Sequence, residues 1–199
     1  MFHNISAAIV ERMNDLENRD REEMSGQIDI KHFDKLRQIP PETGRFISLL
    51  AATSSSKGQW IEIGTSAGYS TLWLALACKH LETKITTFEL DQQKITLAKE
   101  TFASAQVEQY VELVQGNVFD YLPNYKDLSL CFLDTEKELY ADCYDIVIPN
   151  MVSGGILMAD NVISHQSDLQ PMIDRALEDK RVDSLVVPIG QGILLCRKL

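Results

Sequence analysis

The sequence predicts an α/β fold: a mostly parallel sheet of seven strands with helices on both faces. From Gln59 onward, short β-rich runs alternate with stretches of helical periodicity, which is typical of parallel strands joined by crossover helices. The last two runs, R-V-D-S-L-V-V-P and G-I-L-L-C-R-K, have only I-G-Q between them. A parallel crossover needs a longer link than this. We therefore expect these two strands to form an antiparallel hairpin at the sheet edge.

The five earlier strand runs are W-I-E-I, K-I-T-T-F-E, V-E-L-V, L-S-L-C-F-L-D and G-I-L-M-A-D. Periodicity predicts helices over residues 45–52, 69–79, 92–105, 136–148 and 168–180, with a short helix near Phe119.

The region before the sheet is predicted to be helical at its start. Apolar residues at helical spacing indicate an amphipathic helix over residues 4–18, followed by a solvated charged tail, L-E-N-R-D-R-E-E. Glycines and two prolines between Ser25 and Gly44 favour a loop or lid. We therefore expect an N-terminal helix and lid segment over residues 1–44 and one globular unit over residues 45–199.

Composition limits the classes of function. The chain of 199 residues carries a formal charge of -10, which disfavours nucleic acid as a partner without excluding it. The four cysteines form no C-x-x-C pair and the four histidines show no ligand spacing, so reduced core thiols are expected and a zinc site is not. No apolar run is long enough to span a bilayer, and a cytoplasmic location is expected.

The stretch Q-W-I-E-I-G-T-S-A-G-Y-S ends the first strand and opens into a glycine-containing turn. Gly64 and Gly68 would let the backbone approach a ligand closely, beside the positive end of the next helix. The carboxylate of Glu62 would suit an ammonium group rather than a phosphate. Glu89, at the end of the second strand, is placed either to bind ribose hydroxyls or to be a solvated strand-end carboxylate. Together the four residues favour S-adenosylmethionine as the ligand.

Two carboxylates and an amide are expected at the same edge of the sheet. Asp134 ends the fourth strand, and Asp160 and Asn161 end the fifth. Such oxygen donors suit a hard divalent cation, Mg²⁺ above all, with Ca²⁺ or Mn²⁺ as alternatives. Asp134 also precedes T-E-K-E, a possible helix capping box, and Asp-Asn is common turn chemistry, so both structural interpretations stay open.

The runs E-I-G-T-S-A-G-Y-S, F-E-L-D, F-L-D-T-E-K-E-L-Y and G-G-I-L-M-A-D-N-V-I resemble the cation-dependent class I O-methyltransferases, which include catechol and caffeoyl-CoA methyltransferases. The resemblance covers residues 40–199 and implies a Rossmann-like methyltransferase fold. It also implies that Asp134, Asp160 and Asn161 are the metal ligands. Lys137 would be the general base, since a nearby cation and sulfonium favour the neutral amine.

The remaining candidates complete the two binding sites. The donor site is expected to include Ser66, Tyr69, Ser70, Asn117 and Asp134, with Phe119 either on adenine or in the core. Tyr140 and Tyr144 would line the acceptor pocket or pack against the N-terminal helix. The acceptor-binding aromatics of the family would correspond here only to Phe2, His3, His32 and Phe33, so the acceptor is not identified.

Three functions compete at this point. The first is methyl transfer to a small catechol-like or vicinal-diol acceptor, with a metal holding the nucleophile and the protein supplying proximity and orientation. The second is methylation of a hydroxylated uridine in transfer RNA, which the negative charge disfavours. The third is binding of S-adenosylmethionine without turnover, which would not need the metal ligands or Lys137. A homodimer is expected, with the N-terminal helix either at its interface or covering its own domain.

Overall fold

The computed structural model describes residues 1–26, 35–54 and 57–199. Seven strands form one sheet in the order β3-β2-β1-β4-β5-β7-β6. The strands are β1 (Gln59–Ile63), β2 (Ile85–Glu89), β3 (Val111–Gln115), β4 (Leu128–Leu133), β5 (Met151–Ala159), β6 (Val182–Val187) and β7 (Ile193–Lys198). Strands β1 to β5 are parallel, and β7 runs antiparallel to both β5 and β6. The predicted sheet and its C-terminal hairpin are therefore confirmed.

Seven helices accompany the sheet in the described part of the chain. They are α1 (Ala7–Ser25), α2 (Pro41–Thr53), α3 (Tyr69–Leu81), α4 (Gln92–Ala105), α5 (Val118–Tyr121), α6 (Tyr140–Val147) and α7 (Gln166–Glu178). Short 3₁₀ turns lie at Phe2–Asn4, Glu108–Tyr110, Leu122–Asn124, Lys137–Leu139 and Ile148–Asn150. The helix predicted over residues 136–148 is thus a 3₁₀ turn followed by α6. No side-chain cap bonds the start of that turn, so the capping box suggested by T-E-K-E does not form.

The prediction of a solvated charged tail after residue 18 was wrong. Helix α1 continues to Ser25 and ends with Gly26 in the left-handed conformation. Glu23, inside the predicted tail, is buried and accepts hydrogen bonds from Arg19 and from the backbone N–H of Leu36. A carboxylate with a cation and a peptide donor can be buried at acceptable cost, which the sequence pattern did not reveal.

The hydrophobic core lies on both faces of the sheet. Trp60 belongs to a cluster with α1, α2, α3 and α4, whereas its neighbour Ile61 belongs to a cluster with α5, α6 and α7. Since successive strand residues point to opposite faces, this division places helices on both sides of β1. The apolar stripe of α1, which includes Ile9, Met13 and Leu16, is buried in the first cluster.

Register brings the carboxyl ends of four strands to one edge. Ile63 pairs with Phe88 on β2 and with Leu133 on β4, and Leu133 pairs with Ala159 on β5. The residues that follow these strands therefore meet at the edge where ligands bind in open α/β sheets. None of the helices among the described residues is long and apolar enough to cross a membrane.

Candidate functional site

A cavity of about 1250 Å³ opens at this edge of the sheet. It lies between the strand ends on one side and α1 with residues 35–41 on the other. Nine of the predicted site residues line it: Gly64, Ser66, Tyr69, Ser70, Glu89, Asn117, Asp134, Lys137 and Asn161. Three others, Glu62, Gly68 and Asp160, do not line the cavity. Glu62 and Asp160 are buried carboxylates next to residues that do.

The turn after β1 is shaped by the protein's own packing. Gly64 has a φ of 101°, and a Cβ built there would lie 1.9 Å from the carbonyl oxygen of Asp134. Gly68 precedes α3 with a φ of 86°, and its Cβ would lie 2.7 Å from the ring of Phe102. Both glycines are therefore required by close contacts inside the protein. The sequence suggested that a ligand imposed this requirement.

Glu62 is completely buried behind the cavity wall. Its carboxylate accepts hydrogen bonds from the hydroxyls of Ser70 at 2.6 Å, Thr71 at 2.5 Å and Thr87 at 2.6 Å. Burial raises the pKa of Glu62 to about 7, because the desolvated charged form is disfavoured more than the three hydroxyls favour it. Glu62 thus orients the hydroxyl of Ser70, a residue that lines the cavity.

Glu89 uses its carboxylate to fold the loop after β2. One oxygen accepts the backbone N–H of Ser66 at 2.8 Å, and the other accepts the N–H groups of Leu90 and Asp91, both at 2.9 Å. A carboxylate oxygen has two lone pairs, so the oxygen bonded to Ser66 keeps one for a ligand in the cavity. Asn117 caps α5, accepting the N–H of Phe119 at 3.1 Å, and its side chain lines the same cavity.

The opposite wall is joined to the turn by hydrogen bonds. The hydroxyl of Tyr69 donates to Glu17 of α1 at 2.6 Å. The hydroxyl of Ser66 donates to the carbonyl of Leu36 at 3.0 Å, and the N–H of Leu36 donates to Glu23 at 2.7 Å. Helix α1 and the turn after β1 therefore both hold Leu36 in place at the cavity wall.

Asp134, Asp160 and Asn161 come together as the sequence predicts. The Asn161 amide nitrogen lies 2.7 Å from Asp134 Oδ1 and 3.2 Å from Asp160 Oδ2. Asp160 is 1% exposed, and its Oδ1 is buried without a hydrogen-bond partner. Burial, followed by the nearby charge of Asp134, raises the pKa of Asp160 to about 8. Two carboxylates and an amide with one unused buried oxygen fit a divalent cation.

The donor set of this site combines two carboxylates with one amide. No group of three or more His, Cys, Asp or Glu side chains able to hold a metal occurs in residues 1–26, 35–54 and 57–199. The site instead contains two carboxylates, and Asn161 would have to rotate its amide to present oxygen in place of nitrogen. Asn161 has a φ of 67°, a left-handed conformation that asparagine tolerates better than most residues.

Lys137 reaches the same place from the 3₁₀ turn after β4. Its Nζ lies 3.3 Å from Asp134 Oδ1, 3.0 Å from the Thr135 carbonyl and 3.2 Å from the hydroxyl of Tyr140. That hydroxyl also lies 3.2 Å from the Asp160 carbonyl and 3.4 Å from Asp134 Oδ1. Tyr140 therefore contacts the lysine and both acidic residues. This role of Tyr140 was not predicted from the sequence, although its spacing of three residues from Lys137 could have indicated it.

Other aromatic and N-terminal candidates lie elsewhere. Tyr144 bonds Asp179 at 3.0 Å, so neither it nor Tyr140 packs against α1. Phe119 packs against the second core cluster and is not in the cavity wall. Phe2 contacts the ring of Trp73, and His3 is exposed. His32 and Phe33 lie outside the described residues.

The chain is similar to known proteins over most of its length. Residues 17–199 match a family described as O-methyltransferase. A catechol O-methyltransferase from Niastella koreensis is 29% identical over 130 residues, which are 63% of this chain and 58% of that protein. A caffeoyl-CoA O-methyltransferase from Medicago sativa is 24% identical over 198 residues, covering 87% of this chain and 79% of the relative.

Solved structures share the fold. The O-methyltransferase TomG from Streptomyces achromogenes, in complex with SAM, has a TM-score of 0.76 at 20% identity, covering 98% of this chain and 91% of TomG. The SAH-bound methyltransferase PaMTH1 from Podospora anserina has a TM-score of 0.77 at 20% identity, covering 98% of this chain and 89% of PaMTH1. The seven-stranded arrangement described above is therefore that of Rossmann-like methyltransferases.

Proposed function

Because the chain belongs to the O-methyltransferase family and is an S-adenosylmethionine-dependent enzyme, we propose that it uses a divalent cation to methylate one hydroxyl of a small catechol-like or vicinal-diol acceptor. The observation that carries the metal requirement is the buried, unpartnered Oδ1 of Asp160 beside Asp134. An unpaired carboxylate oxygen in the interior is costly. A cation held by Asp134, Asp160 and Asn161 would remove that cost.

The donor would lie over β1 and β2. Glu89 would accept a ribose hydroxyl with the one lone pair that its three backbone bonds leave free. Ser70, held by Glu62, would face the methionine end with its oxygen lone pairs, which suits an ammonium group. Asn117 would lie near the adenine edge. These assignments rest on positions around the cavity wall.

The acceptor would lie on the β4 and β5 side of the donor. When bound, a divalent cation would supply Lewis acidity that lowers the pKa of a coordinated hydroxyl. Lys137, three residues after Asp134 and directed at it, would take the proton from that hydroxyl. Tyr140 would hold the lysine amine in position. The contribution of the fold is then mainly the alignment of nucleophile and methyl group.

The test is transfer of a labelled methyl group from S-adenosylmethionine to a panel of catechols, with Mg²⁺ and after chelation. Asp160→Asn keeps the shape of the side chain and removes its charge, so activity and Mg²⁺ dependence are both expected to be lost. Lys137→Ala is expected to lower kcat by a factor of about 10²–10⁴, the usual contribution of general acid–base catalysis. Asp145→Asn, an exposed aspartate on α6 away from the cavity, is the matched control and should behave as the unmodified protein.

Two outcomes would contradict the proposal. Full activity after chelation would remove the metal from the mechanism. Binding of S-adenosylmethionine without transfer to any catechol would favour the other candidates, and transfer RNA containing hydroxyuridine would then be tested as acceptor. Failure of that acceptor as well would leave a binding protein without turnover.

The homodimer also stays a prediction. The apolar stripe of α1 is buried against its own domain, so an interface would have to use a different surface of that helix or another part of the chain. Sedimentation analysis of the full chain would measure the oligomeric state, and a monomer at all concentrations would contradict the prediction.

A further inference from the structure

An ion pair crosses the cavity from the N-terminal wall to the loop after β4. Arg37 Nη2 lies 3.0 Å from Glu136 Oε1, and both side chains line the cavity. They are 36% and 51% exposed, so each remains accessible to a ligand. An ion pair this exposed contributes little to stability, and the placement of Arg37 therefore calls for another explanation.

Arg37 is held by an anchored backbone. Its φ of 46° is left-handed, which is unfavourable for a residue other than glycine. The preceding residue, Leu36, is buried and bonded through both its N–H and its carbonyl, to Glu23 and Ser66. Ile39, two residues further on, is also buried. The guanidinium is thus presented over the cavity from a fixed backbone.

The partner of Arg37 identifies the side of the cavity on which it acts. Glu136 lies two residues after Asp134 and one before Lys137, on the loop that follows β4. In the sheet, β4 lies next to β1 on the side away from β2, so the proposed donor site, after β1 and β2, and the proposed acceptor site, after β4 and β5, follow neighbouring halves of the sheet. Arg37 therefore reaches over the proposed acceptor end of the cavity.

The described wall of the cavity has no exposed benzene-type ring on which an acceptor could stack. Among the described residues, the benzene-type rings in that wall belong to Tyr69 and Phe88, and both are buried. The Tyr69 hydroxyl is used by Glu17, and Phe88 packs on Tyr121 and Tyr125. In the described wall, the Arg37–Glu136 pair gives this end of the cavity a charged group that can recognise a ligand.

We infer that Arg37 binds an anionic group of the methyl acceptor, exchanging Glu136 for that group when the acceptor enters. The acceptor class is then a hydroxylated small molecule that carries a carboxylate. A guanidinium binds a carboxylate through two parallel N–H donors, whereas its bond to Glu136 uses one nitrogen. This inference rests on the proposed function and adds the charge of its substrate.

The experiment compares acids with their neutral amides. The acceptors are 3,4-dihydroxybenzoate and 3,4-dihydroxycinnamate, each beside its amide, so that two distances between hydroxyl and anion are sampled. We expect the unmodified protein to prefer the acid in kcat/KM by about tenfold, the value of one charge-assisted hydrogen bond. Arg37→Gln should bring the ratio near one through a higher KM for the acid, and Arg37→Lys should restore part of it.

Two further variants complete the design. Glu136→Gln removes the competing carboxylate and should raise kcat/KM for the acid. Arg175→Gln removes an exposed arginine, ion-paired with Asp145 outside the cavity, and should keep the ratio of the unmodified protein. Thermal unfolding of each variant separates a binding effect from a folding defect.

Several results would overturn the inference. If the unmodified protein methylates the amides with nearly the same kcat/KM as the acids, the role of Arg37 is contradicted and the proposed function is unaffected. Weaker binding of S-adenosylhomocysteine to Arg37→Gln, measured by calorimetry, would assign the arginine to the carboxylate of the donor instead. Methylation of none of the four acceptors would contradict both proposals.

Discussion

Replacing Glu62 with glutamine is expected to remove a pH dependence from the stability of the folded chain. Glu62 is fully buried, and burial raises its pKa from an ordinary value of 4.5 to about 7 in spite of three hydroxyl donors. Between these two values the folded protein holds a proton that the unfolded chain has released. The stabilisation is therefore complete below pH 4.5 and is lost as the pH rises through 7.

The magnitude follows from the two pKa values. A change from 4.5 to about 7 corresponds to about 3 kcal/mol of unfolding free energy, at about 1.4 kcal/mol for each pH unit. Part of the change occurs below pH 5. Between about pH 5 and pH 8, the unfolding free energy of the native protein should therefore fall by about 2–3 kcal/mol relative to that of Glu62→Gln.

Urea unfolding at several pH values measures this difference. The fluorescence of Trp60 and Trp73 can report it, because both side chains are buried in the folded chain. Other titrating groups contribute to both proteins and largely cancel in the difference. The matched control is Glu108→Gln, which makes the same substitution at an exposed position. A flat difference for Glu62→Gln would refute the reasoning, since it would mean that the three hydroxyls fully offset burial.

Three further predictions concern the cavity. Tyr140→Phe removes the hydroxyl that contacts Lys137 and should lower kcat about tenfold without changing donor affinity; an unchanged kcat would deny Tyr140 a positioning role. Gly64→Ala places a Cβ 1.9 Å from the Asp134 carbonyl and should destabilise the fold by about 3 kcal/mol in thermal unfolding; an unchanged midpoint would contradict the required close approach. Glu23→Gln weakens the bond to the Leu36 N–H and should weaken donor binding severalfold by calorimetry, whereas equal affinity would show that this anchor does not shape the cavity.

Much of the fold could be predicted because the spacing of apolar residues and the lengths of turns are properties of short stretches of the sequence. The strand runs, the helix at Gln92–Ala105 and the antiparallel hairpin all follow from spacing that neighbouring residues define. The end of α1 did not follow in this way. Burial of Glu23 depends on Leu36, a residue thirteen positions away, and no local pattern contains that contact.

The sequence predicted which residues form the site better than it predicted how their side chains are arranged. Asp134, Asp160 and Asn161 could be grouped because parallel strands end at one edge of the sheet. Their hydrogen bonds, and the unpartnered oxygen of Asp160, depend on side-chain directions that only packing decides. The contact of the Tyr140 hydroxyl with Lys137 was missed for the same reason, since a spacing of three residues permits this contact and only packing decides whether it forms.

The sequence by itself determined the order of elements, the hairpin and the residues available for chemistry, because these depend on composition and short-range periodicity. Only the tertiary structure decided which carboxylates are exposed and which are buried. It placed Glu62 behind Ser70, left one Asp160 oxygen without a partner and set Arg37 against Glu136 across the cavity. The physical reason is that desolvation and hydrogen bonding depend on surroundings assembled from distant parts of the chain.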